Sequence, residues 1–220
     1  MRARGRIKAL FTGPMSCGKT SYLIEKLENE TQHGHERLRW VAFKPTTDTR
    51  SSKGRIESKD DGSRKGKSIE AFEIPSRGDG PWEIFEYLKR EEARIGTIGL
   101  VVIDEINFFP TDSAFYGVVM RLLEQGYDLI LSGLSYDYRD LPFGSTLLFA
   151  GMAGKNFMPL TAHCAKCGDD HAIHSQRLRP NNTIVPFNDA QEAVDDGTTC
   201  RYEPRCDACF VIIGRPEPKY

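Results

Sequence analysis

The sequence predicts an α/β protein with a mostly parallel sheet, followed by a small cysteine-rich module near the C-terminus. Strand-like and helix-like segments alternate up to about residue 158, a pattern typical of a parallel sheet wound with helices. Beyond that point short polar pieces hold five of the six cysteines. We therefore expect a nucleotide-binding domain over residues 1–158 and a metal-binding domain over residues 159–220.

Apolar runs and turn residues define the elements of the first third. We expect a strand at "IKALF" (7–11) that ends at Gly13, a helix at "TSYLIEKLENE" that stops near Gly34, and a strand at "RLRWVAFK" (37–44). Residues 46–68 are polar and rich in Gly, Ser and Lys, which predicts a mobile surface loop without regular structure. A further strand is expected at "IEAFEI" (69–74).

The next segments give the helix–strand alternation its clearest form. "PWEIFEYLKREEA" (81–93) predicts a helix with proline at its first position, and "SAFYGVVMRLLEQG" (113–126) predicts an amphipathic helix closed by Gly126. "IGLVVIDE" (98–105) and "YDLILSGL" (127–134) are unbroken apolar runs, which is typical of parallel strands buried on both faces.

Composition and charge disfavour several classes of function. The 220 residues are 39% apolar and carry a formal net charge of -1. Nucleic-acid-binding proteins usually have a basic excess, so we expect no nucleic-acid partner. No apolar run approaches the roughly 20 residues of a membrane helix, and "MRARGRIKALFTG" favours a first strand over a signal peptide. We expect a cytoplasmic protein with reduced or metal-bound cysteines.

The stretch "GPMSCGKT" fits the phosphate-binding pattern Gly-x-x-x-x-Gly-Lys-[Ser/Thr], with a predicted strand before it and a helix after it. Glycines let backbone N–H groups face phosphate oxygens, the lysine adds positive charge, and the threonine hydroxyl can ligate Mg²⁺. The alternative is a chance match at a strand–helix turn, which these flanking elements disfavour. The predicted nucleotide site comprises Gly13, Pro14, Met15, Ser16, Cys17, Gly18, Lys19 and Thr20.

Two acids follow the buried strand at 98–103. An acid in this position commonly holds Mg²⁺ opposite a phosphate loop, and we assign that role to Asp104. Glu105 could polarise an attacking hydroxyl, either of water or of a substrate alcohol. The alternative is a strand-end carboxylate with no chemical role.

The cysteines form two Cys-x-x-Cys pairs, "CAKC" (164–167) and "CDAC" (206–209). Four thiolates suit tetrahedral Zn²⁺ and leave no open position, which predicts a structural zinc site. Disulfides are disfavoured by the expected compartment. A nearby histidine (His163, His171 or His174) is an alternative fourth ligand, and Cys17 and Cys200 are expected to be free thiols.

Aromatic residues follow the strand at 127–134. Tyr136, Tyr138 and Phe143 lie just past its carboxyl end, where α/β sheets bind ligands. These rings could hold a flat base or could simply pack under a loop, and the residues alone leave both readings open.

Six motifs together resemble one family: "GPMSCGKT", "KPTTDTR", "VVIDEINFF", "GLSYDYRDLPFG", "LTAHCAKCG" and "YEPRCDACF". Their order and spacing, over about residues 7–214, resemble the type II thymidine kinases, the zinc-containing cellular and bacterial kind. The resemblance implies a RecA-like domain and a zinc-anchored lasso loop that closes over the nucleoside. It also implies transfer of the ATP γ-phosphoryl group to the 5′-hydroxyl of thymidine or deoxyuridine, by a homotetramer that its end-product triphosphate inhibits.

The resemblance also implies roles for individual residues. Glu105 would be the general base, while Lys19, Thr20 and Asp104 would serve the phosphates and Mg²⁺. Asp48 and the catalytic Arg50 would lie near the sugar and the transferred phosphate. The base pocket would comprise Phe108, Leu134, Tyr138, Phe143, Ser175 and the lasso residue Tyr202, and the zinc ligands would be Cys164, Cys167, Cys206 and Cys209.

Several positions depart from the family pattern. Ser16 and Cys17 stand where the family has Phe and Ser, Asn107 stands for Gln, and Ser175 stands for Thr. The mobile-loop motif reads "SKDDG" (58–62), and the lasso reads "VDDGTTCRY" (194–202) in place of a Val-Gly-Gly segment. These changes fall mainly near the base, so the reaction type is predicted more firmly than the base.

Thymidine kinase activity is the leading hypothesis. One alternative is a kinase for a modified or different deoxypyrimidine nucleoside. An alternative of another class is a zinc-ribbon nucleic-acid-binding ATPase, and the last is a catalytically inactive nucleotide sensor.

Overall fold

A six-stranded parallel sheet forms the centre of the protein. The structure, a computed structural model, describes residues 2–32, 38–59, 65–189 and 199–217. The sheet contains β1 (Ile7–Gly13), β2 (Trp40–Pro45), β5 (Phe72–Ile74), β6 (Leu100–Ile103), β7 (Asp128–Leu134) and β8 (Phe157–Pro159). Their order across the sheet is β5-β2-β6-β7-β1-β8, and every neighbouring pair is parallel. The predicted α/β class with a mostly parallel sheet is therefore confirmed.

Helices cover both faces of this sheet. They are α1 (Lys19–Gln32), α2 (Glu83–Ile95), α3 (Phe115–Glu124) and the short α4 (Ala150–Ala153). Along β6, Val101 and Ile103 pack into the core beneath α2 and α3, whereas Leu100 and Val102 pack into the core beneath α1. Because successive strand residues face opposite sides, a continuous apolar run fills both cores.

The predicted loop at 46–68 contains more structure than its composition indicates. β3 (Arg55–Glu57) pairs antiparallel with β4 (Ser68–Glu70), and Ile56 is only 1% exposed. Burial of that single isoleucine in the core under α1 anchors the hairpin. The predicted strand at 69–74 is correspondingly split, because Ser68–Glu70 belongs to this hairpin and Phe72–Ile74 to the central sheet.

The cysteine-rich region contains a separate two-stranded sheet. β9 (His174–Leu178) pairs antiparallel with β10 (Arg201–Arg205), with Tyr202 opposite Arg177 and Pro204 opposite Ser175. The predicted boundary at residue 158 falls inside β8, and the division into two domains stays a prediction. Within the described ranges, no helix has the length and apolar character to cross a membrane.

Candidate active site

The phosphate loop connects β1 to α1. Gly13 and Gly18 have positive φ angles of 143° and 83°, which favour glycine. A Cβ atom on Gly13 would lie 2.4 Å from the Leu160 carbonyl oxygen, so no larger residue fits there. The Lys19 ammonium donates to the Pro14 carbonyl at 2.7 Å and thus lies inside the loop. The predicted motif therefore has the backbone shape of a phosphate cradle.

Thr20 and Asp104 meet at the mouth of this loop. The Thr20 hydroxyl donates to Asp104 Oδ2 at 3.2 Å, while Asp104 Oδ1 accepts from the Glu105 N–H and from the Ser132 hydroxyl. A hydroxyl and a carboxylate are oxygen ligands of the kind Mg²⁺ prefers, so the pair fits this ion. Burial, together with the negative charge of Glu105, raises the pKa of Asp104 to about 6.

Ser132 is a contributor to the site that the sequence reasoning missed. It is fully buried on β7. The only available signal is a hydroxyl within the apolar run "LILSGL", and its partner can be assigned only once β6 and β7 are known to be neighbours.

Glu105 adopts a left-handed backbone conformation, with φ 54° and ψ 43°. In an extended strand, Asp104 and Glu105 would face opposite sides of the sheet. The left-handed turn removes that alternation, and both carboxylates line the same cavity. Such a conformation costs about 1–2 kcal/mol for a non-glycine residue. The bond from the Glu105 N–H to Asp104 Oδ1, at 2.9 Å, helps to stabilise it.

Arg50 links the two carboxylates of Asp48 and Glu105. Its Nη2 lies 2.6 Å from Glu105 Oε1, and its Nε donates to Asp48 Oδ1 at 2.9 Å. Burial opposes the charge of Arg50, but Glu105 and Asp48 outweigh it and raise the pKa of the guanidinium. Glu105 Oε2 has no hydrogen-bond partner among the described residues. One carboxylate oxygen is thus fixed, while the other is available to accept a hydrogen bond.

Two cavities meet at Arg50 and Met15. One, which we call the phosphate-side cavity, has a volume of about 1110 Å³ and is lined by the phosphate loop and by Asp48, Asp104 and Glu105. The other, which we call the aromatic cavity, has a volume of about 440 Å³ and is mostly apolar. Arg50 and Met15 line both. All six residues predicted for the base pocket line the second cavity: Phe108, Leu134, Tyr138, Phe143, Ser175 and Tyr202.

Contacts in the wall of the aromatic cavity hold its rings together and connect it to the phosphate loop. The rings of Phe108 and Phe143 meet edge to face, with centroids 5.8 Å apart. The Ser175 hydroxyl accepts from the Met15 N–H at 3.0 Å, which connects β9 to the phosphate loop. The cavity wall also contains Thr47, for which the sequence predicted no role, and Ser76, Arg77 and Thr111, which belong to none of the six motifs.

Tyr138 does more than line this cavity. It is only 3% exposed, and its hydroxyl donates to the Asp189 carbonyl at 2.8 Å. The guanidinium groups of Arg139 and Arg177 lie 5.7 and 5.2 Å from the centre of its ring. Tyr138 therefore holds the chain at Asp189. Two of the departures noted in the sequence fall partly outside the described residues: residues 60–62 of "SKDDG" and residues 194–198 of "VDDGTTCRY".

The four cysteine sulfurs at 164, 167, 206 and 209 all lie within 4.8 Å of one another. The Cys167 and Cys206 sulfurs are 3.6 Å apart, close to the roughly 3.8 Å edge of a tetrahedral Zn–thiolate site. Burial favours the neutral thiol of Cys164, but backbone N–H groups of Cys206 and Cys167 outweigh it and lower its pKa to about 6. The cluster fits zinc.

The histidines and the remaining cysteines are not part of the four-sulfur group. None of the described histidines belongs to the four-cysteine cluster. His174 instead lies between the carboxylates of Asp140 and Asp207, at 3.1 and 2.8 Å. The six cysteines form no disulfide, and Cys17 is buried in one cluster with Cys164 and Cys206. The phosphate loop and the cysteine site therefore share one buried cluster.

The fold and the phosphate-binding loop together define a P-loop nucleotide-binding protein. Residues 5–210 match the family model described as thymidine kinase. The chain belongs to the thymidine kinase family, and it is a kinase.

Two relatives show how far the similarity extends. The chain is 33% identical over 212 residues to a thymidine kinase of Mycoplasmoides gallisepticum, covering 96% of this chain and 84% of that protein. It is 31% identical over 203 residues to a thymidine kinase of Pyrobaculum aerophilum, covering 92% of this chain and 97% of that protein. The similarity spans both the phosphate loop and the cysteine cluster, so the predicted family is confirmed.

Proposed function

We propose that this protein is a thymidine kinase, which transfers the γ-phosphoryl group of ATP to the 5′-hydroxyl of thymidine or deoxyuridine. The observation that carries the proposal is the position of Glu105. Glu105 lines the phosphate-side cavity, and one of its carboxylate oxygens bonds Arg50, which lines both cavities, while the other oxygen is free.

The phosphate loop and Lys19 hold the phosphates of ATP on one side of Arg50. Thr20 and Asp104 would hold Mg²⁺, which when bound neutralises phosphate charge. The free oxygen of Glu105 accepts the proton of the 5′-hydroxyl while the oxygen atom of that hydroxyl bonds to the γ-phosphorus. The bond from this phosphorus to the bridging oxygen of ADP breaks at the same time. Arg50 orients Glu105 and places its charge beside the transferred group.

The aromatic cavity supplies the acceptor side. Phe108, Leu134 and Phe143 would pack against the base, with Tyr202 and Ser175 on the wall contributed by β9 and β10. Asp48 lines the phosphate-side cavity and would face the sugar near the transferred group. Thymidine or deoxyuridine is the substrate we propose, since no observation favours a modified base over them.

The remaining assignments follow the family resemblance. We propose that Cys164, Cys167, Cys206 and Cys209 hold a structural zinc ion that orders residues 159–220, and that residues 1–158 bind ATP. We also propose a cytoplasmic homotetramer that its end-product triphosphate inhibits. A nucleic-acid partner is not proposed, because the net charge is -1.

A nucleoside panel tests the proposal directly. The purified chain, with labelled ATP and Mg²⁺, should form thymidine or deoxyuridine 5′-monophosphate in preference to products of deoxycytidine or 5-hydroxymethyl deoxyuridine. ATP hydrolysis stimulated by DNA, with no phosphorylated nucleoside, would instead support the nucleic-acid-binding ATPase.

The general base is tested by Glu105→Gln. This variant should lower kcat by about 10² to 10⁴ while leaving ATP binding unchanged, because glutamine keeps the shape of the side chain and an oxygen for Arg50 but cannot take up the proton. Glu86→Gln, at an exposed glutamate of α2, is the matched control. A Glu105→Gln variant with wild-type kcat would exclude Glu105 as the base.

A further inference from the structure

Lys44 is a buried cation for which the mechanism above has no role. It lies on β2 and is 1% exposed. It is also absent from the walls of both cavities, as far as the described residues define them. A buried ammonium is costly unless oxygen atoms surround it, so its partners indicate its function.

The partners of Lys44 belong mainly to the turn at 48–52. Its Nζ donates to the carbonyl oxygens of Asp48 and Ser52, both at 3.3 Å. It also lies 3.5 Å from Glu73 Oε1 and 4.0 Å from Asp48 Oδ2. An ammonium group has three N–H donors, and the three nearer oxygens can use all of them. The ammonium therefore fills the inside of this turn.

Arg50 lies in the middle of the same turn and connects it to Glu105. The charges run in alternation from Lys44 through Asp48 and Arg50 to Glu105. Each of these groups is wholly or largely buried, so each ion is stabilised mainly by its neighbours of opposite charge. Movement of the 48–52 turn would move the Arg50 guanidinium, and with it the orientation of the Glu105 carboxylate.

We propose that Lys44 is a positioning residue for phosphoryl transfer, which holds the 48–52 turn so that Arg50 aligns Glu105. The inference rests on the proposed function, because it assumes that Glu105 is the base. Lys44 touches neither the phosphate loop nor the aromatic cavity, so its loss should affect the transfer step rather than the binding of ATP.

Lys44→Met tests this, since it removes the charge and keeps the length of the side chain. We expect kcat to fall about 10- to 100-fold, the range associated with a misplaced catalytic group, with ATP affinity changed less than twofold. Lys44→Arg restores the charge and should recover part of kcat. Lys8→Met is the matched control, because Lys8 also pairs with two acids, Glu30 and Asp128, but lies outside both cavities.

A second measurement does not depend on kinase activity. The Arg50 Nε–H group bonds Asp48, so its ¹⁵N-resolved NMR signal should be sharp and protected from exchange in the wild type and in Lys8→Met. The signal should broaden or exchange rapidly in Lys44→Met. If no nucleoside were phosphorylated by the wild type, the proposed function would fail, and this signal alone would decide whether Lys44 positions Arg50.

A double variant serves as the control for misfolding. Lys44→Met leaves the Glu73 carboxylate without its cation, and Lys44→Met/Glu73→Gln removes that leftover charge. A folded single or double variant with low kcat and intact ATP binding would support the proposal. A folded variant with wild-type kcat would overturn it, and so would an unchanged Arg50 signal.

Discussion

Replacement of Asp104 by asparagine should stabilise the chain while impairing catalysis. Asp104 is 4% exposed and lies beside the charge of Glu105, and these two effects raise its pKa from the ordinary 3.8 to about 6. Asparagine keeps the bonds to Ser132 and to the Glu105 N–H, and its amide can donate to the Thr20 hydroxyl. The substitution therefore removes a negative charge that burial and Glu105 destabilise, and it keeps the hydrogen bonds.

The pH dependence of this effect follows from the direction of the shift. Because the folded-state pKa is higher than the unfolded-state pKa, the folded chain binds more protons between about pH 4 and pH 6. Stability therefore falls as pH rises through this window, and the full cost is present above it. The shift corresponds to about 3 kcal/mol. For a chain of this length, that is a gain in Tm of about 6–12 °C for Asp104→Asn at neutral pH.

Thermal unfolding in Mg²⁺-free buffer measures the gain. Asp104→Asn should melt above the wild type at pH 7.5, and the difference should shrink towards pH 4. Added Mg²⁺ should raise the Tm of the wild type more than that of the variant. Asp112→Asn, at an exposed aspartate, is the control. A variant that is no more stable than the wild type at pH 7.5 would refute the reasoning.

Two further predictions concern the acceptor side. Zinc removal by a chelator or by Cys164→Ser should weaken ATP binding as well as nucleoside phosphorylation, because Cys17 of the phosphate loop lies in one buried cluster with Cys164 and Cys206. Iodoacetamide should then label Cys17 faster than in the zinc-bound protein, which mass spectrometry would detect. Unchanged ATP affinity after zinc removal would contradict this coupling. Tyr138→Phe removes a hydrogen bond worth about 1 kcal/mol, so the nucleoside KM should rise about fivefold with kcat unchanged. Tyr116→Phe is its control, and an unaltered nucleoside KM would show that the bond to Asp189 does not support the acceptor site.

Local patterns made much of the fold predictable. The phosphate loop was recognisable because glycine and lysine spacing is a local requirement of the backbone, and β6 and β7 were recognisable as unbroken apolar runs. The hairpin of β3 and β4 was not predictable, because it depends on the burial of one isoleucine, Ile56, within a polar stretch. Such a residue gives no periodic signal.

The site was predictable in part, and mostly through the family resemblance. The resemblance identified six of the residues that line the aromatic cavity, whereas the residues alone left base binding and packing equally open. Lys44 and Ser132 were missed, because their roles depend on partners that the order of the strands brings together. Ser132 reaches Asp104, 28 positions away in the chain, only because β6 and β7 are neighbours.

The edges of the central sheet have a consequence for self-association. The two outermost strands, β5 and β8, have three residues each, and β8 ends in Pro159, which has no N–H to donate. Short edges and proline hinder the addition of a strand from another molecule. Subunits that assemble around this sheet would therefore meet through side chains of helices and loops, and the same edges protect the chain against fibre-like aggregation.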